Sequence, residues 1–273
     1  METIAPNTQV DVYRMRVVMA FSGGMDSTAL LLRMLDRGNS VTCISYNYGQ
    51  RHIIELERAR DNIHYLSSMG HSVEHILIDI SSAMSSFSSS LIDTSTDVPE
   101  GHYEEEQMKQ TVVPNRNAIF TSILYGHALS ISTVEECDVY LALGVHSGDH
   151  AIYPDCRPEF YDQLKLALDT GNWGSKRISM ELPYIDADKE GILRDALKSC
   201  ESLGLDFDIV FTNTNTSYNP DSDGRSSGKT GSDVERILAF HAIGRIDPLE
   251  YVDGWNTVLE RALRIEMEYE AVQ

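Results

Sequence analysis

Residues 16–80 alternate apolar runs of strand length with amphipathic runs of helical length, and the first junction is built almost wholly of small residues. Val17-Val18-Met19-Ala20 leads into Phe21-Ser22-Gly23-Gly24-Met25-Asp26-Ser27, and that leads into Ala29-Leu30-Leu31-Leu32. The pattern predicts a strand over 16–21, a tight turn, and a helix over 26–35. It then predicts a strand over 41–46, a long helix over 53–69 closed by Gly70, and a third strand over 73–78. Parallel neighbours need a crossover between them, so strands alternating with helices imply a parallel sheet covered on both faces. The first turn carries little side chain and exposes several backbone N–H groups. The following helix adds its orphan N–H groups and the positive end of its dipole. Together they make an anion cradle suited to phosphate or pyrophosphate. The Gly-Lys-Ser/Thr ending of a Walker loop is missing, so the common kinase and GTPase reading fails.

Beyond residue 80 the alternation breaks. Residues 80–110 are Ser-rich and then acidic around Glu104-Glu105-Glu106, and are expected to form a long mobile loop acting as a lid. A helix is predicted over 117–130, a strand over 139–143, and a helix from Pro158 to Gly171 with proline at a favoured first position. A further helix is expected over 189–202, loop over 212–232, and two helices over 233–243 and 248–270. The expected organisation is a polar N-terminal extension (1–15), an α/β domain (16–212) with the insertion at about 80–110, and a helical C-terminal part (213–273).

Composition narrows the function classes. With 273 residues and 42% hydrophobic content, the chain can bury one large α/β core. No stretch approaches the roughly 18 consecutive apolar residues of a membrane span, and the polar N-terminus is no secretory signal. Cys43, Cys137, Cys156 and Cys200 are far apart without framework spacing, which points to the reducing cytoplasm. A formal charge of −20 repels free nucleic acid, so direct nucleic-acid binding is not expected.

Four more segments accompany the first turn. They are Tyr48-Gly49-Gln50-Arg51-His52 with Glu55 beyond it, Val113-Pro114-Asn115-Arg116-Asn117, Gly144-Val145 followed by Asp149, and Tyr153-Pro154-Asp155-Cys156-Arg157. All lie at or near the carboxyl ends of expected strands, where open α/β sheets build their sites. Ser-Gly-Gly-x-Asp-Ser resembles the pyrophosphatase loop of enzymes that split ATP between the α and β phosphates. The order and spacing of all five resemble the 7-cyano-7-deazaguanine synthase (QueC) family over most of residues 16–190. That resemblance implies a doubly wound parallel sheet of the ATP-pyrophosphatase (adenine nucleotide alpha hydrolase-like) type with a small, mostly helical C-terminal part. It also implies a homodimer that uses ATP and Mg²⁺ on a small-molecule substrate, 7-carboxy-7-deazaguanine. Family members adenylate the carboxylate, form an amide with ammonia, adenylate the amide oxygen and eliminate AMP to leave the nitrile.

The same resemblance distributes roles. Phe21, Ser22, Gly23, Gly24, Met25, Asp26 and Ser27 form the pyrophosphate loop, with Asp26 orienting it or helping to hold Mg²⁺. Gln50, Arg51 and Lys189 join the nucleotide site, Lys189 following Pro183-Tyr184-Ile185-Asp186 as in the family's late motif. Asp26, Ser27, Arg116 and Lys189 form the expected catalytic set. Arg51 and Arg116 suit phosphate or the substrate carboxylate, because guanidinium pairs with either at two points. Arg116, Asn117, Asp149, Tyr153, Asp155, Cys156 and Arg157 form the expected substrate side, with Asp149 and Asp155 reading the guanine-like edge and Tyr153 stacking on the ring. Cys156 reads as pocket lining rather than a nucleophile.

The chain also departs from that pattern. The family's four zinc-binding cysteines fall on Ser217, Ser227, Thr230 and Asp233, while Tyr218, Gly228 and Arg236 keep their places. Hydroxyls are poor zinc ligands, so no metal site is expected from protein cysteines and no structural zinc. The family's Gly before Arg116 is Asn115, and the family's Ser-Gly before Tyr153 is Ala151-Ile152, which adds bulk beside the expected pocket. Two alternatives therefore stand beside the synthase reading: a ligase joining the deazaguanine to an amine on a protein acceptor, a setting known among divergent relatives in antiphage defence, and a non-catalytic deazapurine or nucleotide sensor. A tRNA thiolase is disfavoured by the missing Cys-x-x-Cys pairs and the charge.

Overall fold

The structure is a computed structural model describing residues 14–50, 54–92, 99–217, 221 and 224–271. The N-terminal extension up to residue 13, Arg51 and Tyr218 lie outside the described residues. In chain order the elements are β1 (Arg16–Ala20), α1 (Met25–Asp36), β2 (Ser40–Asn47), α2 (Ile54–Ser68), β3 (Glu74–Asp79), α3 (Ser81–Met84) and α4 (Arg116–Glu135). There follow β4 (Val139–Ala142), α5 (Pro158–Gly171), β5 (Ile178–Glu181), α6 (Lys189–Leu203), α7 (Phe207–Thr212), α8 (Gly231–Ala242) and α9 (Trp255–Glu270).

The five strands form one parallel sheet in the order β3-β2-β1-β4-β5. The chain winds outward from β1 in one direction, then returns to place β4 on the other side of β1. The carboxyl ends of β1 and β4 therefore part at a topological switch point, the crevice where doubly wound sheets bind ligands. Side-chain alternation along β1 feeds two cores. Val17 and Met19 pack with α1, α6, α7 and α8 through Leu30, Leu31, Leu32, Leu193, Phe211 and Phe240. Val18 packs on the opposite face with Leu124, Tyr125 and Ala128 of α4 and Tyr161 of α5.

Burial fixes α1 without help from a cap. Its N-cap, Gly24, makes no side-chain capping bond. A missing cap costs about 1 kcal/mol, whereas each fully buried leucine contributes roughly 1.5–3 kcal/mol. Leu30, Leu31 and Leu32 are all fully buried, so the helix keeps its place with its first N–H groups left for a ligand.

Four segments differ from the sequence reading, one of them α7, a six-residue helix where none was expected. Strand β5 lies where no strand was expected; it is a four-residue edge strand too short to carry a periodic signal. The last helix begins at Trp255, not 248, because Asp247 turns back to accept from Leu249 N and Gly254 caps the helix. The stretch expected as a bare loop over 80–110 holds α3 and a 3-10 turn (Glu106–Thr111), with Met84, Leu91, Tyr103 and Met108 buried among its described residues.

The C-terminal part is held by polar groups. Asp233, 1% exposed, accepts from Ser226 Oγ (2.6 Å), Ser217 Oγ (3.2 Å), Ser227 Oγ (3.4 Å) and the backbone N–H groups of Lys229 and Thr230 (3.3 Å each). Thr230 completes a reciprocal capping box with Asp233 at the start of α8. The four positions of the family's zinc ligands are thus brought together around a carboxylate. Beside them, buried Arg236 forks onto Asp247 (2.6 and 2.9 Å) and donates to Thr214, Thr216 and the Phe211 carbonyl.

Candidate active site

A cavity of about 240 Å³ lies at the switch point between β1 and β4. Ser22, Gly24, Met25, Asp26 and Ser27 line one side, at the uncapped start of α1. Ser22 and Ser27 hydroxyls meet at 3.1 Å, which ties the turn to the first helical residues. Two glycines allow the approach. A Cβ on Gly23 would fall 2.3 Å from the Glu55 carbonyl, and its φ of +84° also favours glycine. A Cβ on Gly144 would press on the Asp26–Ser27 backbone at 3.3–3.4 Å, so its absence lets the end of β4 lie against the turn.

Lys189, the first residue of α6, reaches this turn from across the fold. Its Nζ lies 2.9 Å from Asp26 Oδ2, 3.1 Å from His146 Nε2 and 3.4 Å from Glu235 Oε2, with the side chain 6% exposed. Burial works against the Lys189 ammonium, but Asp26, Glu235 and Asp149 outweigh it and hold its pKa above the ordinary value. Burial also works against the Asp26 carboxylate; Lys189 and then His146 outweigh it and hold that pKa below the usual range. Glu235 shifts upward, because burial exceeds the pull of Lys189 and His146.

The opposite wall is aromatic and basic. Arg116 opens α4 directly after Asn115, whose φ of 58° is left-handed, a conformation asparagine tolerates where the family has glycine. The Arg116 guanidinium lies 6.0 Å from the Tyr48 ring centroid. Tyr48, Phe120, Tyr103, Tyr153, Tyr161 and Cys156 complete this side. Burial pushes the Glu55 carboxyl up to about 7 despite Arg116, and the Tyr48 hydroxyl up to about 12. Tyr103 Oη donates to Asp149 Oδ1 at 2.7 Å, so the insertion reaches into the site through one buried tyrosine. Burial pushes the Cys156 thiol up, with Asp149 and Asp155 adding to it, and Asn117 Nδ2 lies 3.3 Å from its sulfur.

Of the residues expected from sequence, Ser22, Gly24, Met25, Asp26, Ser27, Arg116, Asn117, Asp149, Tyr153, Cys156 and Lys189 line the cavity. Others support it from behind. Phe21 is buried beneath the turn, its carbonyl accepting from Ser45 Oγ. Gly23 packs on the start of α2. Gln50 braces its own turn through Tyr48 N (2.9 Å) and the Tyr46 carbonyl (3.1 Å). Asp155 is spent on Asn117, accepting from its backbone N–H at 3.3 Å, and Arg157 Nε turns out to the His150 carbonyl at 2.8 Å. Ile152 packs in a cluster with Tyr103, Met108, Tyr153 and Cys156, behind the wall that Tyr103, Tyr153 and Cys156 give to the cavity. His146, Glu235, Tyr103, Asn215 and Ser232 are cavity residues not singled out from sequence: His146 directly follows the Gly144-Val145 motif, and the others arrive by long-range contacts.

The chain matches the family profile described as Queuosine biosynthesis protein QueC over residues 16–244. It is 41% identical to the 7-cyano-7-deazaguanine synthase of Psychromonas ingrahamii over 87% of this chain and 98% of that one. It is 43% identical to that of Alteromonas mediterranea over 86% and 98%. Among solved structures, NMN synthetase from Francisella tularensis aligns with 91% of this chain and 85% of its own, at 14% identity and a TM-score of 0.39. A profile match across most of the chain, with relatives above 40% identity along nearly their whole length, places this chain in the QueC family.

Proposed function

We propose that this chain uses ATP to activate the carboxylate of 7-carboxy-7-deazaguanine, releasing pyrophosphate and AMP, with ammonia as the acceptor that yields the amide and then the nitrile. The observation that carries the reading is the meeting of an uncapped helix start and a buried lysine with an arginine-bearing aromatic wall in one cavity. The first half suits the leaving pyrophosphate, the second a flat carboxylate-bearing ring, and the reaction needs both in contact.

The N–H groups of Met25, Asp26 and Ser27, with the Ser22 and Ser27 hydroxyls, would donate to the departing phosphates. Lys189, kept charged by Asp26 and Glu235, supplies positive charge where negative charge grows. Arg116 suits the substrate carboxylate at two points, and Tyr48, Phe120, Tyr153 and Tyr161 suit the faces and edges of the ring. Tyr103 closes over Asp149 and limits water, which would otherwise compete with ammonia for the activated acyl group. Asp26 Oδ1 is buried without a hydrogen-bond partner, which fits a carboxylate oxygen kept for a hard cation or its bound water. Mg²⁺ takes most of its other ligands from phosphate and water. When bound, Mg²⁺ would neutralise phosphate charge.

The altered residues 150–152 and the lost zinc site favour an acceptor other than ammonia; His150, Ala151 and Ile152 do not line the cavity, which supports the simpler acceptor. The test is product analysis by mass spectrometry with the deazaguanine acid, Mg-ATP and ammonia. AMP and pyrophosphate should form in step with loss of the acid, and the nitrile should accumulate. ADP and phosphate as products, or ATP turnover independent of the acid, would overturn the reading.

A further inference from the structure

We propose that His146 is a catalytic phosphate ligand, its Nε2–H donating to a phosphate oxygen of the bound nucleotide. The proposal rests on the reading of the Ser22–Ser27 turn as a nucleotide site.

His146 follows β4 by four residues and its ring is 2% exposed. Its Nδ1 accepts from the backbone N–H of Gly148 at 3.1 Å, a contact built into the short 3-10 turn that His146 caps. A neutral imidazole has one donor and one acceptor nitrogen, so this bond places the ring proton on Nε2. Around Nε2 lie Lys189 Nζ at 3.1 Å, Asp149 Oδ2 at 3.6 Å and Asp26 Oδ2 at 3.9 Å. Lys189 has only donors, and both carboxylate oxygens are beyond hydrogen-bond reach. The Nε2–H therefore faces another donor across 3.1 Å.

The other states of the ring do not relieve this. The opposite tautomer accepts from Lys189 but turns Nδ1–H onto the Gly148 N–H. The doubly protonated ring has that same fault and keeps the first one as well. In every state the His146–Lys189–Gly148 set has at least one donor too many. One acceptor bridging Nε2 and Nζ from the cavity side satisfies both, and both residues line the cavity beside the start of α1, which attracts anions. Asp26, Asp149 and Glu235 face the same region. Their charge disfavours a bare anion and favours one that arrives with a divalent cation, as Mg-ATP does. A phosphate oxygen held by an imidazole N–H and a lysine is the kind of preorganised contact whose loss costs rate more than binding.

The test uses the whole chain labelled with ¹⁵N-histidine. Long-range ¹H–¹⁵N spectra, with the His146 signal assigned by its loss in His146→Gln, should show the Nε2–H tautomer in the free protein. Saturating Mg-ATP or Mg-pyrophosphate should move that signal downfield. In turnover assays His146→Ala should lower kcat by about 10²- to 10³-fold with the KM for the acid unchanged. His146→Gln, which keeps an amide N–H near the Nε2 position, should recover activity to within about tenfold of wild type by the same reasoning. Saturable Mg-ATP binding that leaves the His146 signal unmoved, or a fully active His146→Ala enzyme, would overturn the proposal and leave the nucleotide reading intact. Absence of Mg-ATP binding to the wild-type chain would overturn both.

Discussion

Replacing Asp233 with alanine removes one carboxylate that serves five donors. The bond from Ser226 Oγ is the shortest at 2.6 Å, Ser217 and Ser227 follow at 3.2 and 3.4 Å, and the Lys229 and Thr230 N–H groups lie at 3.3 Å. Lys229 is exposed and its N–H can turn to water. Ser226 and Thr230 are buried, so their donors cannot. A buried donor left unpaired costs about 1–3 kcal/mol, and the hydroxyls recover part of this by rotating, which gives about 3–5 kcal/mol for the set. For a domain of this size the loss corresponds to a Tm lower by about 6–20 °C. Asp233→Asn keeps one acceptor oxygen and should cost less than half as much. The assay is thermal unfolding of wild type and both variants, with and without a chelator. Because the donors converge on a carboxylate, chelation should leave the wild-type Tm unchanged. A Tm shift below about 2 °C in Asp233→Ala, where even a single lost donor predicts that much, would refute the reasoning, as would a chelator-induced fall in the wild type.

Lys189→Met should lower kcat by about 10²-fold or more and weaken Mg-ATP binding, since it also strands the buried Asp26 carboxylate; unchanged turnover would remove Lys189 from the mechanism. Arg116→Gln should raise the KM for the acid by about tenfold or more while sparing Mg-ATP affinity, read from steady-state kinetics at varied acid. Glu55 has a folded pKa raised to about 7 by burial, so its contribution to stability is present below its unfolded pKa and is lost as pH rises through 7. Denaturant titrations should show wild type falling behind Glu55→Gln between about pH 4.5 and 7, with a constant gap above that window; parallel curves would contradict the shift. Gly23→Ala places a Cβ 2.3 Å from the Glu55 carbonyl at positive φ, and should cost at least about 1–3 kcal/mol by chemical denaturation and disturb the phosphate turn.

Local pattern revealed the elements whose signals are local. The Ser-Gly-Gly turn, the first three strands and the flanking helices follow from short-range periodicity and turn chemistry. Asn115 could be read as a left-handed residue because Asn tolerates that conformation. Strand order could not be read this way, since the pairing of β1 with β4 joins residues more than 120 positions apart. Non-local contacts also hid the roles of His146 and Glu235, which exist only because α6 and α8 bring Lys189 and Glu235 to the end of β4. Asp149 and Asp155 looked equivalent in sequence. The fold gives Asp149 to the cavity through Tyr103 and gives Asp155 to Asn117, a difference set by which way the short turns after β4 point. The four hydroxyl and carboxyl side chains at the family's zinc positions read as a loss. The convergence of Ser217, Ser227 and Thr230 on the fourth, Asp233, depends on hydrogen-bond geometry that composition does not encode.

In the proposed reaction the acid is activated by attack of its own carboxylate on the α-phosphate. Deazaguanine acid labelled with ¹⁸O in both carboxylate oxygens tests this directly, using Mg-ATP, ammonia and mass spectrometry of all products. The account predicts one ¹⁸O atom in AMP and none in pyrophosphate. Unlabelled AMP, or ¹⁸O in inorganic phosphate, would contradict it.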